Sequence, residues 1–267
     1  MALAAPLGLI LAGMTLVMIA AWATQRAANN SGWIDVFWTF GTGAAGVLAA
    51  LWPVAGADPA RKALAAALMA AWALRLGTYI FLRVAGGAHE DARYARFRQD
   101  WGDRYQSKIL RLTLPQAGIT AVMMVSVAIA ANRPVAGLDP RDFLAVLVLL
   151  VAIGGESLAD WQLARFKRSG PPKGAINDRG LWGWSRHPNY FFEWFGWLAW
   201  PVMALDPSRP ITWLTLLAPA AMYVVLRFIT GVPPLEATML ASRGEAFRAY
   251  QQRTSAFLPL PPKDVRS

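Results

Sequence analysis

MALAAPLGLILAGMTLVMIAAWATQRA, residues 1–27, decides the fold class. Its apolar part is long enough to cross a bilayer, at about 20 residues, and nothing basic precedes it. A secretory signal carries a basic n-region and a shorter apolar core, so this run is expected to remain as a first membrane helix, roughly 4–24. Comparable runs recur along the chain. Further helices are predicted at roughly 33–52, 62–84, 110–131, 142–166, 190–205 and 211–230. Trp52-Pro53, Asn132 to Pro134 and Asp206-Pro207 punctuate the connections. The expectation is an all-α polytopic membrane protein with seven transmembrane helices, forming a single membrane-embedded domain over residues 1–267.

Composition agrees and excludes several chemistries. The chain is 56% hydrophobic and 16% charged, well below the roughly 25% charged residues of a soluble domain. It has no cysteine, which removes disulfides, thiolate catalysis and zinc–sulfur sites. Two histidines, His89 and His187, are too few for a multi-histidine centre, so no metal is expected. The net charge of +10 does not point to nucleic acid, because the basic residues lie in loops between apolar spans.

Those loops orient the chain. Arg26 lies in the first, and Arg93, Arg96, Arg98, Arg104, Lys108 and Arg111 in the third. Arg165, Lys167, Arg168, Lys173, Arg179 and Arg186 lie in the fifth, and Arg243, Arg248, Arg253, Lys263 and Arg266 follow helix seven. The opposite side has Arg61, Lys62, Arg133, Arg141 and Arg209. The positive-inside rule then places the N-terminus outside and the C-terminus in the cytoplasm of a bacterial inner membrane. Attraction to anionic membrane lipids accounts for much of this charge, and a pocket for a phosphorylated cofactor is the other use for it.

Ionisable residues inside spans are functional candidates by default. In AWALRLGTYIFLR, helix three sets Trp72, Arg75, Tyr79 and Arg83 on one face. Helix five carries Glu156 and Asp160 one turn apart, with Lys167 two turns beyond Asp160. GLWGWSRHPNYFFEWFGWLAW, residues 180–200, crowds Arg186, His187, Asn189, Tyr190 and Glu193 against tryptophans and phenylalanines, and stacks Asn189 and Glu193 at i and i+4. These groups either line a polar cavity or form a buried ion network that fixes helix packing. Asp35 stands at the head of helix two in SGWIDVFWTFGTG, as part of the helix start behind Asn30 and Ser31 or as a functional acid. Gly41, Gly43 and Gly46 on the same helix permit close helix approach.

The SRHPNY motif with Glu193 resembles the steroid 5-alpha-reductase superfamily, most closely a bacterial branch of small membrane proteins described only as a domain of unknown function. DVFW, WALRLGTY, ESLADWQLARFK and the ending GVPPLEATMLASRGEAFRAYQQRTSAFLPLPPK fit the same family in order. The resemblance implies a helix bundle with a cytoplasm-facing cavity for NADPH and a site for a lipid-like enone among the first four helices. It implies that Asn189 and Glu193 hold the nicotinamide end, with His187 and Tyr190 in the same motif. It also implies that Asp160 and Lys167 serve the adenosine and phosphate end, that Tyr79 and Arg83 line the cofactor, and that Tyr250 is a looser match. Where steroid-binding members carry a glutamine–glutamate pair and a tyrosine, this chain has Asp35 and Trp72.

The residues themselves suit those tasks. The Asn189 amide both donates and accepts, as a carboxamide partner must. Arg179, Arg186 and Arg253 offer guanidinium groups for phosphates. Asp35, Trp38, Trp72 and Arg75 are the expected substrate contacts. The expected activity is NADPH-dependent reduction of a carbon–carbon double bond conjugated to a carbonyl, in a steroid or similar lipid. Asp35 is the first choice for the acid on the carbonyl and Tyr79 the second, a role in which the carboxyl must carry its proton. The rivals are an isoprenylcysteine-type methyltransferase using S-adenosylmethionine, which shares RHPxY, and a lipid-binding protein without catalysis.

Overall fold

The computed structural model describes residues 3–87 and 90–264, so His89 and Arg266 lie outside the described residues. Among these the chain is helical, without a strand. It divides into two compact units, Met1–Val146 with Leu198–Ala221, and Leu147–Trp197 with Met222–Ser267.

In the first unit, α1 (Ala4–Ala28), α2 (Gly32–Leu51) and α3 (Pro59–Ala85) follow one another through tight turns. Asn29 closes α1 in the left-handed conformation at φ 50°, which asparagine tolerates better than most residues. Asp58 caps α3 by accepting from the Ala60 and Arg61 amides, and Pro59 supplies the preset first helical φ. Short α4 (Ala92–Trp101) and α5 (Tyr105–Thr113) come next, then α6 (Pro115–Ala131). Helices α1, α2, α3 and α6 pack against one another.

The glycines on α2 make that packing possible. A methyl on Gly43 would sit 2.2 Å from the Ala73 side chain, and one on Gly46 would meet Met69. Close approach was the reading of these positions from sequence, and the structure bears it out.

Helix α7 (Pro140–Arg168) begins in the first unit and ends in the second. Its start belongs to a buried clamp. The Arg61 guanidinium donates to both Asp142 oxygens at 3.0 Å and to the carbonyls of Arg133, Val135 and Gly137. Arg133 donates to Asp142 and pairs with Asp139. Sequence reading used Arg61 and Arg133 only to orient the chain; both are buried.

The stretch expected as one helix over 190–205 is instead two, α9 (Pro188–Gly196) and α10 (Ala199–Ala204), after the single turn α8 (Leu181–Trp184). Pro201 is the physical reason. It has no N–H to give Trp197, four residues back, and its ring crowds that carbonyl. The expected helix over 211–230 is also composite. Residues 210–216 wind as a 3-10 turn, α11 (Leu217–Val224) follows, and 225–229 widen into a π turn in which Thr230 N–H reaches the Val225 carbonyl. Pro233 and Pro234 open α12 (Val232–Arg243), and Gly244 at φ 53° separates it from α13 (Glu245–Arg253). Six helical stretches among the described residues are long and apolar enough to cross a membrane, so the chain has the make-up of an integral membrane protein.

Candidate functional site

The predicted cofactor residues, apart from Tyr79 and Arg83, fall in the second unit. A polar cluster in this unit centres on Glu236, which the sequence reading did not single out. Arg186 grips Glu236 with two parallel bonds of 2.7 and 3.1 Å. The two Nη1 donors of Arg186 go to the carbonyls of Gln251 and Thr254. His187 Nε2 lies 3.1 Å from Glu236, and the Gln251 amide donates to the same carboxylate at 2.8 Å. Both Arg186 and His187 are buried. Burial holds the His187 imidazole below its ordinary range, against the opposing pull of Glu236.

This cluster fastens the C-terminal tail. The Arg186 amide donates to the Ser255 carbonyl at 2.8 Å, and the Ser185 hydroxyl to that of Phe257. The Leu260 amide reaches the Trp184 carbonyl at 3.0 Å. Tyr250 donates its hydroxyl to the Trp182 carbonyl, and Arg253 pairs with Asp178. Arg186, Tyr250 and Arg253, expected as cofactor ligands, are therefore occupied by the chain itself. Four of the five Arg186 N–H donors are engaged in this way, which leaves a single Nη2–H for any phosphate.

Other expected residues are arranged differently. Helix α9 carries Asn189 and Glu193 on one face. The Asn189 amide sits 3.5 Å from Asp160 of α7, at the outer limit of a hydrogen bond, and its oxygen accepts from the Tyr190 amide. Glu193, also buried, accepts from the Trp197 indole at 3.0 Å. The Tyr190 ring stacks on His187 with centroids 5.7 Å apart. Lys167 and Arg179 are exposed and make no ion pair among the described residues.

In the first unit, α2 and α3 bring together the expected substrate residues. Trp38 and Trp72 meet edge to face with centroids 6.2 Å apart, and Arg75 lies over the Tyr79 ring at 5.6 Å. Tyr79 is 39% exposed. Asp35 departs from expectation. One oxygen accepts from Arg93 at 2.9 Å and the other from the Tyr94 hydroxyl at 2.8 Å. A carboxyl serving as acid would donate rather than receive at both oxygens, so this geometry does not suit Asp35 to that role. Asp35 lies in the first turn of α2, as the helix-start reading expects, but it is not the cap, since Asn30 accepts the Gly32 amide.

Arg93 also holds Asp91, which receives a further contact from Arg83 at 3.4 Å. Burial works to raise the Asp91 carboxyl, but the Arg93 and Arg83 guanidinium groups outweigh it and hold it at about 2. Arg83 thus has a protein partner while remaining 41% exposed.

A family model described as a protein of unknown function (DUF1295) matches residues 21–254. The chain belongs to this family. No curated protein and no solved structure matches it. The DUF1295 match reaches into both units and covers every predicted site residue, from Asp35 to Arg253. Among the described residues, no group of three or more histidines, cysteines or carboxylates is placed to hold a metal ion.

In this DUF1295 chain, sequence reading missed Glu236, Gln251, Arg93, Tyr94 and Asp178. One signal was available for Glu236. A buried Arg-His pair requires a carboxylate, and Glu236 follows Pro233-Pro234 in the motif-bearing C-terminal stretch.

Proposed function

We propose that the chain is an NADPH-dependent membrane reductase acting on a carbon–carbon double bond conjugated to a carbonyl, in a steroid or steroid-like lipid. The observation carrying this reading is the face shared by Asn189 and Glu193, with Asp160 beside it, in the motif that resembles the steroid 5-alpha-reductase superfamily. Seven membrane crossings belong to the same reading, with α9 and α10 together forming the sixth, and they place the C-terminus in the cytoplasm.

The residues fit NADPH in part. Asn189 would take the nicotinamide carboxamide, with Glu193 supporting the same face. Of the expected phosphate partners, Lys167 and Arg179 remain, since Arg186 and Arg253 are paired with carboxylates of the chain. When bound, the cofactor supplies a hydride. Tyr79, whose ring is partly exposed, takes the acid role that the geometry of Asp35 does not suit.

The engagement of Arg186 and Arg253 also favours a second reading. S-adenosylmethionine carries no phosphate, so a methyltransferase would not need those arginines. Calorimetric titration of the solubilised protein with NADPH, NADH and S-adenosylmethionine separates the readings. Binding of NADPH well above NADH is expected. Binding of S-adenosylmethionine instead favours the methyltransferase, and binding of none favours a lipid-binding protein.

A further inference from the structure

The polar groups near Trp38 on α2 are almost all satisfied within the chain. Asp35 accepts at both oxygens, the Thr39 hydroxyl returns to the Asp35 carbonyl, and the Thr42 hydroxyl meets that of Thr120 at 3.2 Å. Trp38 is the exception. Its Nε1 is buried and makes no hydrogen bond among the described residues.

Indole offers one donor and no acceptor, so only an incoming acceptor can satisfy it. In a membrane-spanning helix there is no bulk water to serve. A phenylalanine would keep an edge-to-face contact with the buried Trp72 ring and would leave no N–H unmet. The chemistry of the missing partner is also constrained. A single neutral N–H beside an apolar ring does not offset the desolvation of a carboxylate or phosphate, but it matches an uncharged oxygen on an apolar body.

We propose that the Trp38 indole donates its hydrogen bond to the carbonyl oxygen of an apolar ketone held beside Trp72. The identity of the ketone rests on the reductase reading, and the hydrogen bond deepens that reading. As hydride addition places charge on that oxygen, the same bond strengthens.

The test uses the full chain in detergent, labelled with ¹⁵N at the tryptophan indoles. It is titrated with a 4-en-3-one steroid and with the same skeleton lacking the oxygen. Trp38→Phe assigns the Trp38 resonance. Ketone, but not hydrocarbon, is expected to move that resonance downfield. In Trp38→Phe, ketone affinity falls on the order of tenfold, while the Tm stays level or rises.

An unmoved resonance with ketone bound overturns the proposal, as does unchanged ketone affinity in Trp38→Phe. A lower Tm in that variant would reveal a structural partner for the indole and also overturn it, as would a wild-type chain that binds no ketone. The reductase reading is separable. A Trp38 response in a chain that fails to bind NADPH upholds the hydrogen bond and sinks the reductase, and NADPH binding without a Trp38 response does the reverse.

Discussion

Arg61 in the first unit and Arg186 in the second are held in the same way, with all five donors of Arg61 and four of the five of Arg186 engaged by the chain. Each is buried, each is paired with a carboxylate, and each gives further donors to backbone carbonyls. Lys167 and Arg179 are the opposite case, exposed and without an acidic partner among the described residues. The difference shows that position in a motif does not make a cation available. Arg186 stands in the most recognisable stretch of the chain and is consumed in holding it together. Charges that the fold has already satisfied contribute structure, and those left open are the ones a ligand can use.

The largest effect should come from Arg61. Arg61→Met leaves Asp142 buried against fewer donors, at a cost of about 3–5 kcal/mol, read as a fall in Tm in detergent. Arg186→Met should cost less, about 1.5–3 kcal/mol, because His187 and Gln251 still serve Glu236. A stable Arg186→Met with weakened NADPH binding would break the comparison, since it would make Arg186 a ligand after all. Tyr250→Phe removes the donor to the Trp182 carbonyl and should cost about 1–3 kcal/mol with cofactor affinity unchanged.

Acid should loosen the two units by different groups. His187 sits below its ordinary value of 6.5, so the folded state binds fewer protons than the unfolded one. Its contribution is complete above pH 6.5 and is lost as pH falls below that value. Asp91, held at about 2 against an ordinary 3.8, contributes above 3.8 and loses that contribution as pH falls toward 2. Thermal unfolding from pH 8 to 5 should therefore flatten in His187→Gln but keep its slope in Asp91→Asn. A slope unchanged in His187→Gln would remove the histidine from the account.

How much of this was legible in the sequence depends on the distance between partners. Long apolar runs announce themselves locally, and α1, α2 and α3 begin and end within a few residues of expectation. The break within 190–205 was hidden because Pro201 lies inside an otherwise apolar, tryptophan-rich run. The partners that sequence did not reveal share one feature, their distance along the chain. Arg186 finds Glu236 50 positions away, Tyr250 finds Trp182 68 away, and Asp35 finds Arg93 58 away. No periodicity carries that information, whereas the shared face of Asn189 and Glu193 follows from helical spacing alone.

Smaller effects on stability are expected where the charges are open. Lys167→Ala and Arg179→Ala should leave the Tm unchanged, because each removes an exposed side chain without an ion-pair partner among the described residues. Each should weaken NADPH by up to about tenfold and NADH less, as loss of a charge-assisted phosphate contact requires. Equal losses for both nucleotides would take the extra phosphate away from these residues.

The most direct test is the NADPH affinity of Asn189→Ala, measured by calorimetry with the Tm taken on the same sample. In the protein the Asn189 amide has a contact of 3.5 Å to Asp160, so its removal should cost little stability. If Asn189 holds the nicotinamide, NADPH affinity falls by roughly one to two powers of ten while the Tm moves little. A large fall in Tm with NADPH affinity unchanged would place Asn189 among the structural groups, beside Arg61 and Arg186, and contradict the account.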